Sequence, residues 1–202
     1  GLYEIIVCDT GSSDRTAEVA SGSGAVLVRN GSREPGKAGA LNIGADFATG
    51  DVLLFLDADT IVPGAYDSLI EQSLADAGVV GGAFEFSLDG DGFGLRVVEF
   101  INRVRYRVRK RFYGDQGIFV RSEIFHKVGG FPQMPLLESA YLCRNLSRSG
   151  RLRLIKREIK TSPRRFEEGG VYKVLARDIK IWFLDLLGFS VGKYARDYWG
   201  EN

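Results

Sequence analysis

The stretch GDVLLFLDADTIVP, residues 50–63, is the most informative part of the sequence, because its apolar run ends in two carboxylates. Val52 to Leu56 are apolar without interruption, a pattern typical of a strand that is buried on both faces of a parallel sheet. Asp57 and Asp59 follow at once, separated by one alanine. Two like charges at the end of a buried strand cost free energy unless a cation compensates them. The stretch therefore predicts a strand that ends at a cation site, although Asp59 could instead cap a following helix.

Strands and helices alternate around this stretch. The pattern predicts strands at 4–9, 25–30, 51–57, 78–88 and 151–162, and helices at 16–21, 40–48, 63–76, 94–112, 135–150 and 171–187. Within YGDQGIFVRSEIF (113–125) it predicts a loop, a short strand and the start of a helix. This alternation is typical of an α/β fold with a central, mostly parallel sheet and flanking helices. Ligands of such sheets bind beyond the carboxyl ends of the strands. We therefore expect Asp9, Asp57 and Asp59 to converge on one crevice.

Two helix starts carry their own signals. Ser12 or Ser13 is predicted to cap the helix over TAEVAS, because a serine hydroxyl can accept hydrogen bonds from the first free amides of a helix. Pro63 is predicted to begin the next long helix, since proline is tolerated at the first helical position.

Composition indicates an ordinary globular protein. The 202 residues are 45% hydrophobic and 26% charged, with a formal net charge of +1, so no overall field favours nucleic acid as a partner. No apolar stretch approaches the roughly 20 residues of a membrane-spanning helix. We expect a cytoplasmic protein, with peripheral membrane contact left open, in which Cys8 and Cys143 are reduced thiols. We also expect a single domain over 1–202.

Two predicted helices are amphipathic, and the sequence does not show what covers the apolar side of each one. In GLRVVEFINRVRYRVRKRF (94–112), an apolar stripe of Val97, Ile101, Val104 and Val108 is opposed by arginines. The stripe is expected to lie in the core or in a homodimer interface, the alternative being contact with anionic lipid headgroups. The helix over 171–187 presents the same choice.

Two further segments suit a nucleotide. In VCDTGSSDRT (7–16), Asp9 ends a strand and is followed by small polar residues, which would let a base or ribose approach; a plain strand–turn–helix connection is the alternative. In EPGKAGALN (34–42), Lys37 is flanked by glycines and could hold a phosphate or a base edge, or be a solvated loop lysine. Arg164 and Arg165 could reach a diphosphate from the far side of the cleft.

Three stretches, in this order, resemble the family 2 glycosyltransferases, which have the Rossmann-like GT-A fold. They are EIIVCDTGSSDRTAEVA (4–20), GKAGALNIGADFATGDVLLFLDADTIVP (36–63) and YGDQGIFVRSEIFHKVGGFPQMPLLESAYLCRNL (113–146). The last one, with TSPRRFEEGG (161–170), is most similar to the subfamily associated with radical-SAM and selenodomain proteins. The resemblance covers nearly the whole chain, and the Asp-Ala-Asp context is its most specific part.

The resemblance implies a donor site for a nucleotide sugar, with a UDP-sugar as the default. Asp9 would contact the base, and Lys37 and Asn42 would line the nucleotide pocket. Asp57 would orient the ribose or sugar and help to hold the metal, and Asp59 would hold Mg²⁺ or Mn²⁺ against the diphosphate. The nucleotide-binding half would be 1–62, followed by an acceptor-side half over 63–170 and a C-terminal amphipathic region over 171–202.

The sequence departs from the family pattern in two places. The family opens with a strand carrying a Pro-x-x-N-E type sequence, which the present chain lacks before Glu4, so we expect missing residues rather than a new architecture. The family also places the general base in a Glu-Asp pair, whereas this chain has Glu138 followed by Ser139. Serine is no base at neutral pH, so either Glu138 or Asp115 would take the proton.

The sequence thus predicts a metal-dependent, inverting glycosyltransferase. Its acceptor is unspecified and could be a small molecule, a glycan or a lipid phosphate. A nucleotide-sugar-binding protein with weak or no transferase activity is the alternative, because Ser139 replaces the expected aspartate. A nucleotidyltransferase and a scaffold at a lipid surface are further rivals.

Overall fold

A computed structural model describes residues 3–29, 36–109 and 111–195. Within these ranges its strands form two separate sheets, one of two strands and one of five. The first sheet pairs β1 (Ile6–Asp9) with β2 (Val26–Arg29) in parallel. The second has the order β3-β6-β5-β7-β4, formed by β3 (Val52–Phe55), β4 (Thr60–Ile61), β5 (Val79–Leu88), β6 (Ile118–Arg121) and β7 (Arg151–Thr161).

Eight helices occur in the described ranges. They are α1 (Thr16–Gly22), α2 (Gly36–Phe47), α3 (Tyr66–Leu74), α4 (Phe93–Arg109), α5 (Ser122–Lys127), α6 (Glu138–Leu146), α7 (Arg164–Gly169) and α8 (Val171–Leu186). Short 3₁₀ turns occupy Gly114–Gln116 and Gly192–Tyr194. No helix in this part of the chain is long and apolar enough to cross a membrane.

The five-stranded sheet is mixed, which corrects the expectation of a mostly parallel one. β5 and β7 are parallel, but β6 lies between β3 and β5 and runs antiparallel to both, and β4 is antiparallel to β7. The sequence pattern shows that β6 is a strand without showing where it enters the sheet. Its position next to β3 matters for function, because it brings the turn that precedes β6 beside the residues that follow β3.

The two predicted helix-start signals were wrong, although α1 does begin at Thr16 as expected. No side-chain hydrogen bond caps α1, and the carboxylate of Asp14, rather than Ser12 or Ser13, accepts from the amide of Thr16 at 3.0 Å. α3 begins at Tyr66 and not at Pro63, because Ala65 adopts a left-handed conformation with φ of 56° that a helix cannot include. α2 begins earlier than expected, at Gly36, so Lys37 lies in its first turn.

The core lies on both sides of β5, whose ten residues are all buried. On one face, aromatic rings pack around Phe55, whose centroid is 5.0 Å from Phe125 and 4.8 Å from Phe131. This contact joins β3 to α5 and to the loop that follows it. Cys8 and Cys143 are both free, as expected, and burial raises the pKa of the Cys143 thiol to about 12.

The expected apolar stripe of α4 faces the core only in part. Val97 and Ile101 pack against the core, whereas Val104 and Val108 are exposed. The residues of α4 that are fully buried are Leu95, Val98, Glu99 and Tyr106. Glu99 accepts hydrogen bonds from the Leu88 amide at 2.7 Å and from Arg96, so a satisfied carboxylate occupies part of the inward face.

A glycine in β5 allows the strand to pass close to its neighbours. A Cβ atom at Gly82 would lie 1.9 Å from the carbonyl oxygen of Arg153 and 2.6 Å from the ring of Phe119. We expect Gly82→Ala to lower the free energy of unfolding by about 3 kcal/mol, since the obstacle is partly backbone. Urea denaturation would measure the loss. Gly64→Ala is the control, because a Cβ there meets no atom within 4 Å; equal losses in both variants would contradict the prediction.

Candidate active site

A cavity of about 420 Å³ opens at the end of β3. Its walls come from the segment after β3, the 3₁₀ turn before β6, the start of α6, the segment from the end of β7 into α7, and the inner faces of α4 and α8, together with Lys37 of α2 and Phe86 of β5. The polar side chains that line it are Lys37, Asp57, Asp59, Asn102, Arg105, Tyr113, Asp115, Glu138, Ser139, Thr161, Ser162, Arg164, Arg165, Glu168 and Asp178.

Asp57 and Asp59 both face this cavity, as the sequence predicts. The Nζ atom of Lys37 lies 2.5 Å from Oδ1 of Asp57. Asp59 does not cap a helix, because Thr60 belongs to β4 and pairs with Thr161 of β7. That pairing places the Thr161 hydroxyl 3.5 Å from Oδ1 of Asp59. The two carboxylates therefore have different neighbours, a cation for the first and a hydroxyl for the second.

Lys37 is the cation at the centre of an acidic cluster. Burial disfavours its charge, but the carboxylates of Asp57, Glu138 and Asp115 outweigh burial and raise the pKa of the ammonium group. Its position depends on Gly114, since a Cβ atom there would lie 2.8 Å from Nζ. In the absence of a metal ion, the lysine therefore supplies the compensating positive charge that the sequence requires at this strand end.

Asp115 is held in the cavity wall by its neighbour. The side chain of Gln116 accepts from the amide of Tyr113 at 3.1 Å and donates to the carbonyl of Phe84 at 3.2 Å, which fixes the turn to β5. Oδ1 of Asp115 is buried and has no hydrogen-bond partner in the described ranges. Burial raises the pKa of this carboxyl to about 6, although Arg105 and Lys37 act in the opposite direction.

Glu138 enters the same cavity from the first position of α6. Leu137 precedes it with a φ of 66°, a left-handed conformation that is strained for leucine and turns the chain sharply into the helix. The hydroxyl of Ser139 donates to Oε1 of Glu138 at 3.0 Å, and both residues are buried. Ser139 therefore orients the neighbouring carboxylate.

Sequence reasoning missed Arg105 as a site residue. Its guanidinium lies 3.7 Å from the centroid of the Tyr113 ring, beside Asp115. Arg105 stands three residues after Asn102, so both lie on the side of α4 that faces the cavity. The sequence shows that Asn102 and Arg105 are three residues apart, but other arginines of α4 have similar neighbours. Only the orientation of α4 in the structure shows that Arg105 is the one that faces the cavity.

The remaining predicted residues divide into two groups. Arg165 lines the cavity but is paired with Asp178 at 2.7 Å. Asp9 and Asn42 are not among the residues that line it. The carboxylate of Asp9 accepts from the amides of Gly11 and Ser12, and the hydrogen bonds from Ser12 lower its pKa. The amide of Asn42 exchanges hydrogen bonds with the backbone of Phe131 at 2.8 and 2.9 Å.

The donor set fits a hard divalent cation that shares its coordination with a substrate. No group of three or more histidine, cysteine, aspartate or glutamate side chains is arranged to hold a metal among the described residues. Asp57 and Asp59 nevertheless supply two carboxylates on one wall. Mg²⁺ is usually bound by one or two carboxylates together with substrate phosphates and water. These two residues therefore suit an ion that arrives with a phosphorylated ligand.

Known structures share this fold. A mannosyltransferase of Pyrobaculum calidifontis, solved with GDP-Man and Mn²⁺, superposes with a TM-score of 0.66 at 22% identity over 96% of this chain and 57% of that one. Glucosyl-3-phosphoglycerate synthase of Mycobacterium tuberculosis, solved with Mn²⁺, UDP and glucosyl-3-phosphoglycerate, gives 0.63 at 22% identity over 93% and 70%. These likenesses show a GT-A-like α/β fold, with a mixed central sheet and flanking helices.

Sequence relatives are also glycosyltransferases. The chain is 29% identical over 141 residues to glycosyltransferase AglE of Haloferax volcanii, covering 64% of this chain and 46% of that protein. It is 34% identical over 127 residues to an undecaprenyl-phosphate 4-deoxy-4-formamido-L-arabinose transferase of Sodalis glossinidius, covering 59% and 38%. The chain spans less than half the length of these two relatives. Residues 1–129 match the family described as Glycosyl transferase family 2, and because this match covers well over half of the sequence, the chain belongs to glycosyltransferase family 2.

Proposed function

We propose that this protein transfers a sugar from a nucleotide-sugar donor, with inversion and with the help of Mg²⁺ or Mn²⁺. The observation that carries the proposal is the cavity itself, which is lined by Asp57, Asp59, Asp115 and Glu138. Solved proteins of the same fold bind GDP-Man or UDP together with Mn²⁺. A UDP-sugar is the default donor, and GDP is the nucleotide to compare with it.

The donor would lie on the side of Asp57 and Asp59. Both aspartates would hold the divalent ion, which stabilises the negative charge of the departing nucleoside diphosphate when it is bound. Asp9, Lys37 and Asn42 are proposed to contact the nucleotide. For Asp9 and Asn42 this requires that the nucleotide extend beyond the cavity described above. Arg165 is proposed to face the diphosphate from the opposite wall, where Asp178 orients its guanidinium.

Asp115 is the better placed of the two candidate bases. Its Oδ1 atom lacks a hydrogen-bond partner in the described ranges, so a hydrogen bond from an acceptor hydroxyl would satisfy a buried polar atom. A pKa of about 6 leaves the carboxylate ionised at neutral pH, yet more basic than an ordinary aspartate. Glu138 already accepts from Ser139. In the proposed step, the acceptor oxygen bonds to the anomeric carbon, its proton passes to Asp115, and the bond to the diphosphate breaks.

The finer assignments are also proposals. Similarity of residues 113–146 and 161–170 supports membership of the subfamily associated with radical-SAM and selenodomain proteins. We also propose a nucleotide-binding half over 1–62, an acceptor-side half over 63–170 and a C-terminal amphipathic region over 171–202. The acceptor could be a small molecule, a glycan or a lipid phosphate, and a homodimer is left open.

Calorimetric titration tests the donor site. We expect UDP or GDP to bind the wild type with Mn²⁺ at least about tenfold more tightly than without it, and we expect Asp59→Ala to remove this dependence on metal. Asp91→Ala is the control, because Asp91 is exposed and is not among the residues that line the cavity. Binding that is indifferent to both metal and Asp59 would contradict the donor-site assignment.

A nucleotide-sugar-binding protein without transferase activity is the second candidate, and Ser139 favours it. Its hydroxyl occupies the position where the family has an aspartate and is engaged with Glu138. The two candidates differ in turnover. Both predict metal-dependent binding, but only the enzyme would hydrolyse the donor slowly when no acceptor is present. Donor hydrolysis, measured on wild type, Asp115→Asn and Glu138→Gln, separates them.

A further inference from the structure

The outward side of α4 is apolar along the length of the helix. Phe93, Phe100, Val104 and Val108 are 80%, 67%, 48% and 75% exposed. Their spacing of seven, four and four residues places them in one row on a helix. Single exposed apolar residues are normal on a protein surface, but a continuous row that includes two phenylalanines needs an explanation.

α8 carries a second row with the same spacing. Tyr172, Ile179, Phe183 and Leu187 are exposed, and Phe189 follows in the loop after the helix. The inward side of α8 is occupied by Val174 and Ile181, which are buried. Both rows were visible in the sequence, but only the fold shows that each one is turned away from the core.

The two helices lie side by side and run in the same direction. A Cβ atom at Gly94, near the start of α4, would lie 3.1 Å from Val171 at the start of α8. Arg111, just beyond the end of α4, pairs with Asp185 near the end of α8 at 3.5 Å. The exposed rows therefore run alongside each other and form one elongated surface, which we call the α4–α8 face.

The charges beside the α4–α8 face are cationic. Exposed Lys173 and Lys180 accompany the row on α8, whereas the exposed Arg96 and Arg107 beside the row on α4 are each paired with a carboxylate, Glu99 and Glu85. Neither lysine is paired with a carboxylate in the described ranges. The acidic residues of the two helices are Glu99, Asp178 and Asp185, and all three turn inward to arginine partners. Apolar side chains bordered by cations suit an anionic bilayer surface.

We propose that the α4–α8 face docks the protein on the surface of an anionic lipid bilayer. The phenylalanines and Tyr172 would enter the boundary between headgroups and acyl chains, and Lys173 and Lys180 would contact lipid phosphates. A second copy of the chain fits this face less well, because a twofold contact would bring two cationic borders together without exposed carboxylates from the same helices to pair with them.

Docking would bring the cavity close to the lipid. The inner sides of the same helices supply Asn102, Arg105 and Trp182 to the cavity wall. If the transferase assignment holds, a lipid-borne phosphate acceptor could reach the site from the membrane surface. This last step rests on the proposed function, whereas the docking surface does not.

Vesicle flotation with the full-length protein, in EDTA and without nucleotide, tests the proposal. We expect binding to vesicles of phosphatidylcholine with about 30% phosphatidylglycerol, and at least about tenfold weaker binding to pure phosphatidylcholine. Phe100→Ser combined with Phe183→Ser should reduce binding to the anionic vesicles by about tenfold or more. Lys173→Glu combined with Lys180→Glu should do the same without changing the apolar rows.

Phe47→Ser is the control, because Phe47 is an exposed aromatic residue at the end of α2, outside the α4–α8 face. It should bind vesicles as the wild type does. Absence of wild-type binding, equal binding to both lipids, or equal loss in the control would overturn the proposal. So would a wild-type dimer in light scattering that the Phe100 and Phe183 variant dissociates. Nucleotide titration of each variant is a separate measurement, so failure of the donor site and failure of docking are distinguishable.

Discussion

Asp115→Asn should make the metal-free protein more stable at pH 7.5, by about 1–3 kcal/mol in the free energy of unfolding. The carboxyl is buried, and its folded-state pKa of about 6 lies above the ordinary value of 3.8. The folded state therefore binds more protons than the unfolded state between about pH 4 and pH 6, and stability falls as pH rises through that window. The amide introduced by the substitution carries no charge, so the variant avoids this loss.

The same substitution should lower the rate of sugar transfer by about 10²–10⁴-fold, since it removes the proposed base. A protein is expected to become more stable when a functional group is removed, if burying the charge of that group lowers the free energy of unfolding. Urea unfolding in EDTA at pH 4.5 and pH 7.5 measures the first effect, and the advantage of the variant should be about threefold smaller at the lower pH, which lies near the bottom of that window. Donor hydrolysis measures the second effect.

Glu138→Gln is the matched variant for both measurements. If Asp115 is the base, Glu138→Gln should retain more activity than Asp115→Asn. The opposite order would assign the proton transfer to Glu138 and leave Asp115 as a structural residue. An Asp115→Asn protein that is less stable than the wild type at both pH values would contradict the account of the buried carboxyl.

The part of the site that the sequence predicts best is encoded locally. The apolar run before Asp57 predicts a strand, and the position of Asp59 two residues later places both carboxylates beyond its end. The expectation that this strand is buried on both faces was wrong, because β3 is the outermost strand of the five-stranded sheet and Val52 and Leu56 are partly exposed. The same reasoning puts Asp9 at the end of β1. Two strand ends share one crevice only if both strands belong to the same sheet, and the local sequence does not show this. The structure leaves β1 and β3 in separate sheets, and Asp9 lies outside the cavity lining.

The residues that the sequence could not place are positioned by distant contacts. Arg105 faces the site because Leu95, Val98 and Tyr106 are the residues of α4 that pack on the sheet. Periodicity alone selects a stripe of which only Val97 and Ile101 pack against the core, so it does not give the rotation of the helix. No local pattern in the sequence predicts the position of Asp115 either. Its turn lies at the end of β3 only because β6, which follows the turn, enters the sheet between β3 and β5.

Lys37→Met should destabilise the metal-free protein by about 2 kcal/mol at pH 7.5, a value below that of a fully buried ion pair because water still reaches the side chain. The ammonium lies 2.5 Å from Asp57, and both side chains are 27% exposed. Its removal leaves the carboxylates of Asp57, Asp115 and Glu138 without their shared cation. The pKa of Asp115, which Lys37 now lowers, should rise further. Stability should then fall more steeply than in the wild type as pH rises above about 4, so the variant should approach the wild type in acid.

Mn²⁺ should restore much of that loss, because a divalent cation held by Asp57 and Asp59 would replace the missing positive charge. Thermal unfolding with and without Mn²⁺ would show a larger increase in Tm for Lys37→Met than for the wild type, in which the ammonium competes with the ion for Asp57. Lys156→Met is the control, since Lys156 is exposed on β7 and lies outside the cavity lining. If Lys37→Met were as stable as the wild type at all pH values, or were indifferent to Mn²⁺, lysine and metal would not be alternative partners of the same carboxylates. Asp57 and Asp59 would then need another explanation at the end of β3.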